Sequence, residues 1–284
     1  MFVYFGSPAG EVLFRTLAPL ALGVALHYAP VRMPPRRPAR ASAAALVAAI
    51  RTYCRENEQP DKANKWARYF SEGYDSWGLL DKDHPIFTTQ QEAWAAEYAV
   101  LGLDGFIEAG CELFKSGKYE EGALSIRFVK TSKEEIDETS LAAMAGWFDG
   151  GVRNWAHVDV MCMELLSPLI ESRKLKPAAF AGWRTSPHRF QRRAAAVAML
   201  GLLKTKGGPK KALAFVEPMM EDQEKVVHQG LGWVIKEVWK LEAALAEEFL
   251  LRWKDKSARL IISTACEKMT SEKKAQFKAS RRKE

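Results

Sequence analysis

The amino-acid sequence predicts an all-α protein, a HEAT-like or armadillo-type solenoid of stacked helix pairs. Runs rich in alanine and leucine, such as residues 43–50 and 141–147, are typical of helices, and alternating β-branched runs are few. Helix starts recur with a period of about 35 residues, which is the spacing of helix-pair repeats. Because one pair cannot bury its own apolar face, stacking is expected to produce a curved molecule with a concave face.

Glycine and proline divide the chain from Ala41 onward into short helices. The expected breaks, in chain order, are Pro60, residues 73–85, Gly117, Gly150–Gly151, Pro177, Ser186–Pro187, residues 207–209 and residues 220–222. Helices are expected to begin near Tyr119, Arg153, Pro187 and Gln223, each followed by a partner helix. The regular alternation of breaks and starts is what a repeat of helix pairs requires.

The two ends of the chain depart from this pattern. The apolar stretch 17–31 is short, contains proline and glycine, and has its positive charges after it, so it fits neither a transmembrane span nor a secretory signal. We expect residues 1–40 to be an extension outside the fold, disordered or a non-native start, with organelle targeting as the weaker alternative. Residues 41–270 then form the repeat domain, and residues 271–284 form a basic tail.

Composition indicates an ordinary globular protein of a reducing compartment. The 284 residues are 48% hydrophobic, which is enough for a sizeable core. The four cysteines lie far apart and show no metal-ligand spacing, so neither a zinc site nor a disulfide framework is indicated. The histidines form no metal-binding array, and Gly207–Gly208 lacks the context of a phosphate-binding loop. We therefore expect no metal, no cofactor and a cytoplasmic location.

The net charge of +7 favours an anionic partner, nucleic acid ahead of an acidic membrane. The candidate phosphate contacts are Arg189, Arg192, Arg193, Lys204, Lys206, Lys210 and Lys211. A solvated basic face is the alternative interpretation. Because adjacent helical residues point in different directions, we expect at most one of Arg192 and Arg193 to reach the partner, with Arg193 preferred, and the other to pair with an acid.

Residues 154–159 and 230–233 carry the most informative chemistry. Asn154 is a good N-cap residue, so Trp155 is expected to open a helix and Asp159 to stand one turn later on the same face. A second tryptophan, Trp233, follows a Gly-Leu-Gly sequence well downstream. Two aromatic faces and a carboxylate suit a sugar that develops positive charge, although a tryptophan on an amphipathic helix is more often a core residue.

These segments resemble the AlkD-type DNA alkylation repair proteins, HEAT-like-repeat DNA glycosylases that release alkylated purines. The resemblance extends over about residues 119–269, and the segments 121–127, 154–159, 190–195 and 229–237 carry it in order and spacing. The chain departs from the family at Ala156, where an acidic residue is common, and at Phe190, where a tryptophan is frequent.

The resemblance implies specific roles for the residues already singled out. Trp155 and Trp233 would flank the deoxyribose of the damaged nucleotide, Asp159 would be the catalytic carboxylate, and Arg193 or Arg192 would bind a phosphate. It further implies a monomer that reads the backbone of duplex DNA with a concave face and has no deep base pocket. A DNA-bound protein of the cytoplasm, associated with the nucleoid and not with membranes, is the expectation that follows.

The chemistry agrees with these roles. Alkylation at N3 or N7 makes a purine cationic, which weakens the glycosidic bond and lets the base leave as a neutral molecule. Little acid catalysis is then needed, and the remaining task is to stabilise an oxocarbenium-like sugar with a carboxylate and aromatic faces. Asp159 would stabilise this cation and position a water molecule, while the two tryptophans hold the sugar.

Two other functions stay open at this point. One is a DNA-binding relative without catalysis, and the other is a protein-binding repeat scaffold. A basic groove with Asp159 exposed favours the glycosylase, whereas the same groove with Asp159 buried favours plain DNA binding. An apolar or acidic groove would favour a protein partner.

Overall fold

The computed structural model describes residues 41–70, 73–80 and 84–280, and these residues are largely helical. The α-helices are α1 (Ala43–Glu56), α2 (Pro60–Ala63), α3 (Thr89–Glu97), α4 (Gly102–Lys115), α5 (Tyr119–Thr131), α6 (Glu138–Ala145), α7 (Trp147–Gly150), α8 (Trp155–Met161), α9 (Ser167–Glu171), α10 (Arg189–Ala198), α11 (Gly208–Val216), α12 (Lys225–Leu241), α13 (Ala243–Trp253), α14 (Arg259–Ala265) and α15 (Ser271–Ala275). Between the described ends there is no β-strand, only one isolated bridge from Asp75 to Lys118, and the all-α prediction is confirmed.

Shorter helical segments connect these helices. Residues in 3-10 conformation are Asn64–Tyr69, Pro85–Phe87, Ala99–Leu101, Lys133–Glu135, Pro177–Thr185, Met199–Leu202 and Glu217–Met219. One π-helical turn, Cys162–Leu166, continues α8 toward α9. Turns of this kind inside a helix often occur near functional sites, and this one follows directly on the helix that carries Asp159.

Four helices recur at nearly constant spacing. The helices α5, α8, α10 and α12 begin at Tyr119, Trp155, Arg189 and Lys225, which gives spacings of 36, 34 and 36 residues. Each packs against the next one in the chain. Their starts lie within two residues of the predicted ones. The solenoid shape and the concave face stay predictions.

Helix α10 lies at the centre of this series because it is built from small side chains. Ala194, Ala195, Ala196 and Ala198 are all fully buried. Alanine side chains let neighbouring backbones approach closely, and α10 contacts α8, α12 and the 3-10 segment Pro177–Thr185. The arginines at the start of α10 are thereby placed between the two helices that carry the predicted tryptophans.

Two glycines allow close contacts between helices that lie near the candidate site residues. A Cβ added at Gly122 of α5 would lie 2.6 Å from Cε1 of His157 on α8. A Cβ at Gly232 of α12 would lie 2.5 Å from Cβ of Thr264 and 2.8 Å from the carbonyl oxygen of Ile261 on α14. Since real Cβ atoms do not approach this closely, glycine at both positions is a packing requirement.

The structure describes part of the predicted C-terminal tail but none of the predicted N-terminal extension. Residues 1–40, expected to form an extension, lie outside the described residues, as do residues 281–284 of the expected tail. The first part of that tail is helical, and its Phe277 is fully buried while its carbonyl accepts a hydrogen bond from Arg259 Nη1 at 2.6 Å. No helix in the described part of the chain is long and apolar enough to cross a membrane.

Candidate active site

Helix α8 begins as predicted from its N-cap. The Asn154 side-chain oxygen accepts the backbone N–H of His157 at 2.9 Å, so Trp155 opens the helix and Asp159 follows one turn later. The amide nitrogen of Asn154 lies 3.0 Å from Nδ1 of His157, whose Nε2 lies 2.8 Å from the carbonyl oxygen of Tyr119. Because a carbonyl only accepts, Nε2 carries the proton and Nδ1 accepts from Asn154. This network fixes the start of α8 against α5.

His157 is a structural residue and does not face solvent. It is 3% exposed, stacks on Tyr119 with ring centroids 4.7 Å apart, and occupies the space that Gly122 leaves open. Burial lowers the pKa of His157 to about 4, opposed by its hydrogen bond to Tyr119. The imidazole is therefore neutral at physiological pH and orients the helix that carries Trp155 and Asp159.

Asp159 is held by a bidentate pair with Arg193. Nε of Arg193 donates to one carboxylate oxygen at 2.9 Å, and Nη2 donates to the other at 2.8 Å. The remaining terminal nitrogen, Nη1, donates to the carbonyl oxygen of Val226 at 2.6 Å. Arg193 thus joins α8, α10 and α12 through one planar guanidinium, the geometry in which charge-assisted hydrogen bonds are strongest.

The environment of Asp159 is intermediate between exposed and buried. Its side chain is 18% exposed, whereas that of Arg193 is 6% exposed. Burial raises the pKa of Asp159 above its ordinary value, and the charge and hydrogen bonds of Arg193 oppose that increase. Arg193 therefore both orients the carboxylate and opposes the effect of burial on its pKa.

Arg192 also pairs with an acid, so each of the two adjacent arginines has an acidic partner in this conformation. Its Nε and Nη2 donate to Asp222 at 2.6 and 3.2 Å, and its Nη1 donates to the carbonyl of Ser186 at 2.8 Å. The physical reason is that both arginines meet acids on neighbouring helices or loops, about one repeat away in sequence. The phosphate contacts of Arg193 and Arg192 stay predictions.

Trp155 and Trp233 are half-buried and pack against the core. Nε1 of Trp155 donates to the carbonyl oxygen of Tyr69 at 3.3 Å. Trp233 stands one turn after Gly230 on α12. A Cβ added at Gly230 would lie 3.3 Å from Cγ of Arg193, so α12 approaches the Arg193 side chain at this turn.

The other predicted basic contacts fall into two groups. Arg189 lies 3.6 Å from Glu224, and Lys204 lies 3.1 Å from Glu171, so both have acidic partners. The exposed lysines near the start of α11 are Lys206, Lys210 and Lys211. The ammonium of Lys211 donates to the carbonyl oxygen of Lys206 at 3.0 Å and leaves that cluster positively charged.

An aromatic stack beside Trp155 was not predicted from the sequence. The ring of Phe70 stacks on Trp155 with centroids 5.4 Å apart and planes 21° from parallel. The ring of Tyr74 stacks on Phe70 at 4.8 Å and 17°. The available signal was the mixture of basic and aromatic residues in 65–70, to which no functional role was assigned from the sequence.

Two buried glutamates at the start of α5 anchor the segment 73–80. Both are fully buried. Glu120 accepts hydrogen bonds from Oγ of Ser76 at 2.7 Å and from the backbone N–H groups of Trp77 at 3.0 Å and Leu79 at 2.9 Å. Glu121 accepts from the indole Nε1 of Trp77 at 3.1 Å. Their oxygens are occupied, which makes them structural.

Fold and site define a class of protein. It is an all-α protein of recurring helices, in which a carboxylate held by arginine lies one turn from a tryptophan. No group of three or more metal-ligating side chains occurs among the described residues. A family model described as DNA alkylation repair enzyme matches residues 50–269, and the chain belongs to that family. It is therefore an enzyme of DNA repair, and its partner is DNA. No curated protein matches the chain.

Proposed function

We propose that the protein is a DNA glycosylase that hydrolyses the N-glycosidic bond of cationic N3- or N7-alkylated purines in duplex DNA. The supporting observation is the Asp159 carboxylate, which the bidentate Arg193 orients one helical turn from Trp155. A carboxylate in a partly covered site stabilises nearby positive charge far more strongly than one in water. A monomer acting on DNA in the cytoplasm completes the proposal.

The reaction needs no acid to activate the leaving group. The bond between C1′ and the purine nitrogen breaks with its electron pair moving to the base, which neutralises the base. The positive charge that remains on the sugar is stabilised by the Asp159 carboxylate and by the faces of Trp155 and Trp233. A water molecule positioned by Asp159 then forms a bond to C1′ and loses its proton to the carboxylate and from there to solvent.

Arg193 is a positioning residue in this scheme. It has no contact with the sugar in the proposed geometry, and its donors end at Asp159 and the Val226 carbonyl. Holding both oxygens fixes the direction of the carboxylate before the reaction begins, which avoids reorganisation at the moment when charge develops. Its positive charge also opposes the rise in the pKa of Asp159 that burial causes.

The experiment that tests this proposal is base release from methylated duplex DNA carrying N7-methylguanine and N3-methyladenine. Asp159→Asn keeps the size of the side chain and removes its charge. We expect release slower by about 10²- to 10³-fold, the loss typical of one preorganised transition-state partner, with binding to unmodified duplex nearly unchanged. Glu112→Gln is the matched control, since it removes an acid that pairs with Lys115, which is not a predicted DNA contact.

One observation favours a second candidate, a DNA-binding relative without catalysis. Both oxygens of Asp159 are occupied by Arg193, and the side chain is mostly covered. If this conformation persists on DNA, the wild type binds duplex in a salt-sensitive manner and releases no base. That result would remove the glycosylase proposal and make bulky adducts the next substrates to examine.

A further inference from the structure

We propose that the segment Asn64–Phe70, here called the aromatic–basic segment, is a second DNA-contact surface that binds the phosphates flanking the nucleotide at Trp155. The proposal rests on the proposed function for the position of that nucleotide. The contact with phosphates itself requires only that the protein binds DNA.

The charge of the segment is the first support. Between Asn64 and Phe70 there are two cations, Lys65 and Arg68, and no acid. Both cations are exposed, and neither has a carboxylate partner among the described residues. In contrast, four of the cations predicted from the sequence to contact phosphates have acidic partners: Arg189, Arg192, Arg193 and Lys204. Lys65 and Arg68 therefore keep the uncompensated charge that phosphates require.

The aromatic residues of the segment orient these cations. Nζ of Lys65 lies 5.2 Å from the ring centroid of Trp66, and Cζ of Arg68 lies 4.9 Å from that of Tyr69. A cation resting on an aromatic face has fewer conformations to lose on binding, which favours association. The same combination of aromatic and cationic side chains is typical of surfaces that follow a nucleic-acid backbone.

The segment is joined directly to the candidate active site. Its Tyr69 carbonyl accepts the indole N–H of Trp155 at 3.3 Å, and its Phe70 ring stacks on Trp155 at 5.4 Å. Arg68 precedes Tyr69, so their Cα atoms are about 3.8 Å apart. Successive nucleotides of one strand rise by about 3.4 Å. A sugar bound at Trp155 therefore brings its adjacent phosphates within reach of the Arg68 side chain.

The far end of the stack is also held in place. Tyr74 packs on Phe70, and the backbone after it is fixed by the buried Glu120 through Ser76 and Trp77. The stack of Tyr74, Phe70 and Trp155 thus connects the aromatic–basic segment to the start of α8 and to α5. A surface held at both ends can contribute affinity without a large ordering cost.

The test is the salt dependence of binding to unmodified duplex DNA by Lys65→Gln/Arg68→Gln. Each phosphate contact contributes about 0.9 to the slope of log affinity against log salt. We expect the slope of the double variant to be smaller by about 1.8, on the same scale. The matched control is Lys176→Gln/Lys256→Gln, because Lys176 is exposed and Lys256 lies 5.9 Å over Trp253 in a similar arrangement distant in sequence.

The outcomes separate this proposal from the glycosylase. Equal slopes for the wild type and the Lys65/Arg68 variant, or equal losses in that variant and in the control, overturn the contact surface and leave base release by the wild type untouched. A smaller salt slope in the Lys65/Arg68 variant, together with no base release by the wild type, supports the contact surface and rules out the proposed glycosylase activity. A variant that loses binding to phosphatidylserine vesicles while keeping wild-type DNA affinity also overturns the proposal.

Discussion

At the scale of single residues, the Asp159–Arg193 pair is the central feature of the molecule. The two residues are 34 positions apart in sequence, about one repeat, and they meet because α8 and α10 are packed neighbours. Asp159 is partly covered, so its charge is costly without a partner. Pairing with Arg193 offsets that cost and gives the carboxylate one direction, which the proposed glycosylase reaction requires.

This pair predicts the pH dependence of base release. Burial raises the pKa of Asp159, and Arg193 opposes the increase. In the proposed reaction the ionised form of Asp159 is the active one, so base release should slow as the pH falls through that raised pKa. Arg193→Gln removes the opposing charge, and we expect the acid limb of the single-turnover rate to move to higher pH. Arg193→Lys keeps a positive charge, so its acid limb should lie between those of the wild type and Arg193→Gln.

Arg192→Gln provides the comparison for this series. Arg192 forms a similar arginine–aspartate pair with Asp222 next to Arg193 in the chain. We expect its acid limb to coincide with that of the wild type. An identical acid limb in the wild type and Arg193→Gln would show that Arg193 does not control the ionisation of Asp159.

His157 predicts a pH dependence of stability. Its pKa is lowered from 6.5 to about 4 in the folded protein. Between these values the unfolded chain binds a proton that the folded chain does not, so the free energy of unfolding decreases as the pH falls from 6.5 toward 4. At 1.36 kcal/mol per pKa unit the loss is about 3 kcal/mol. Urea denaturation at several pH values measures it.

A variant that lacks the His157 imidazole separates this effect from general destabilisation. We expect His157→Gln to be less stable at neutral pH and to lose most of this pH dependence. Phe114→Leu is the control, because Phe114 packs on His157 with ring centroids 5.4 Å apart and carries no charge. It should be destabilised but keep the dependence. A wild-type slope in His157→Gln would contradict the role of the buried imidazole.

At the scale of elements, the Gly-Leu-Gly sequence of α12 explains how this helix packs between two others. Gly230 faces α10 through Arg193, and Gly232 faces α14 through Thr264 and Ile261. The two glycines, two residues apart, point to different sides of the helix. Each lets α12 approach one neighbouring helix. The segment that carries part of the family resemblance therefore also has a packing role.

The two glycines predict different responses to alanine. At Gly232 a Cβ would lie 2.8 Å from a backbone oxygen that cannot rotate away. We expect Gly232→Ala to lower the free energy of unfolding by about 1–3 kcal/mol, the typical cost of overpacking. At Gly230 the nearest atoms are 3.3 Å away and belong to side chains. There the gain in helix propensity, about 1 kcal/mol, offsets the contact, and stability should stay near the wild-type value.

Guanidinium denaturation of both variants measures this difference, and each variant serves as the control for the other. Equal destabilisation would mean that general crowding of α12, and not the fixed backbone of Ile261, decides the cost. Gly230→Ala should in addition slow base release, since its Cβ would press on Cγ of Arg193.

Local signals in the sequence were sufficient for the start of α8. The N-cap at Asn154 and the spacing to Asp159 depend only on neighbouring residues, and both are present in the structure. The anchoring of residues 73–80 by Glu120 could not be predicted in the same way. Its bonds join residues 41 to 44 positions apart, and nothing local marks a glutamate as buried. The Phe70–Trp155 stack likewise joins residues far apart in the sequence, so the aromatic residues of 65–70 did not by themselves identify its partner.

At the scale of the whole molecule, charge was predictable in amount but not in arrangement. The net charge of +7 follows from composition. Which positive charges remain uncompensated depends on tertiary pairing. Arg189, Arg192, Arg193 and Lys204 each pair with an acid from another part of the chain. The helical period was predictable because every repeat must bury the same face against its neighbour, so the pattern recurs in the sequence.

This arrangement predicts which lysines dominate DNA affinity. Lys206, Lys210 and Lys211 are exposed, with no carboxylate partner within the described ranges. If each contacts one phosphate, the triple variant to glutamine should lower the salt slope by about 2.7, at 0.9 per contact. Binding of unmodified duplex, titrated at several salt concentrations between 50 and 200 mM, measures the slope over a range in which phosphate contacts have large effects.

A triple variant of paired surface cations provides the control, with the same change in net charge. The chosen positions and their acidic partners are Lys115 with Glu112, Lys130 with Glu164, and Arg252 with Glu217. Because those charges are already compensated, we expect a smaller change in slope than for the lysines of residues 206–211. A change of the same size in both variants would mean that DNA responds to the net charge of the protein alone. Affinity would then carry no information about where the duplex lies on the molecule.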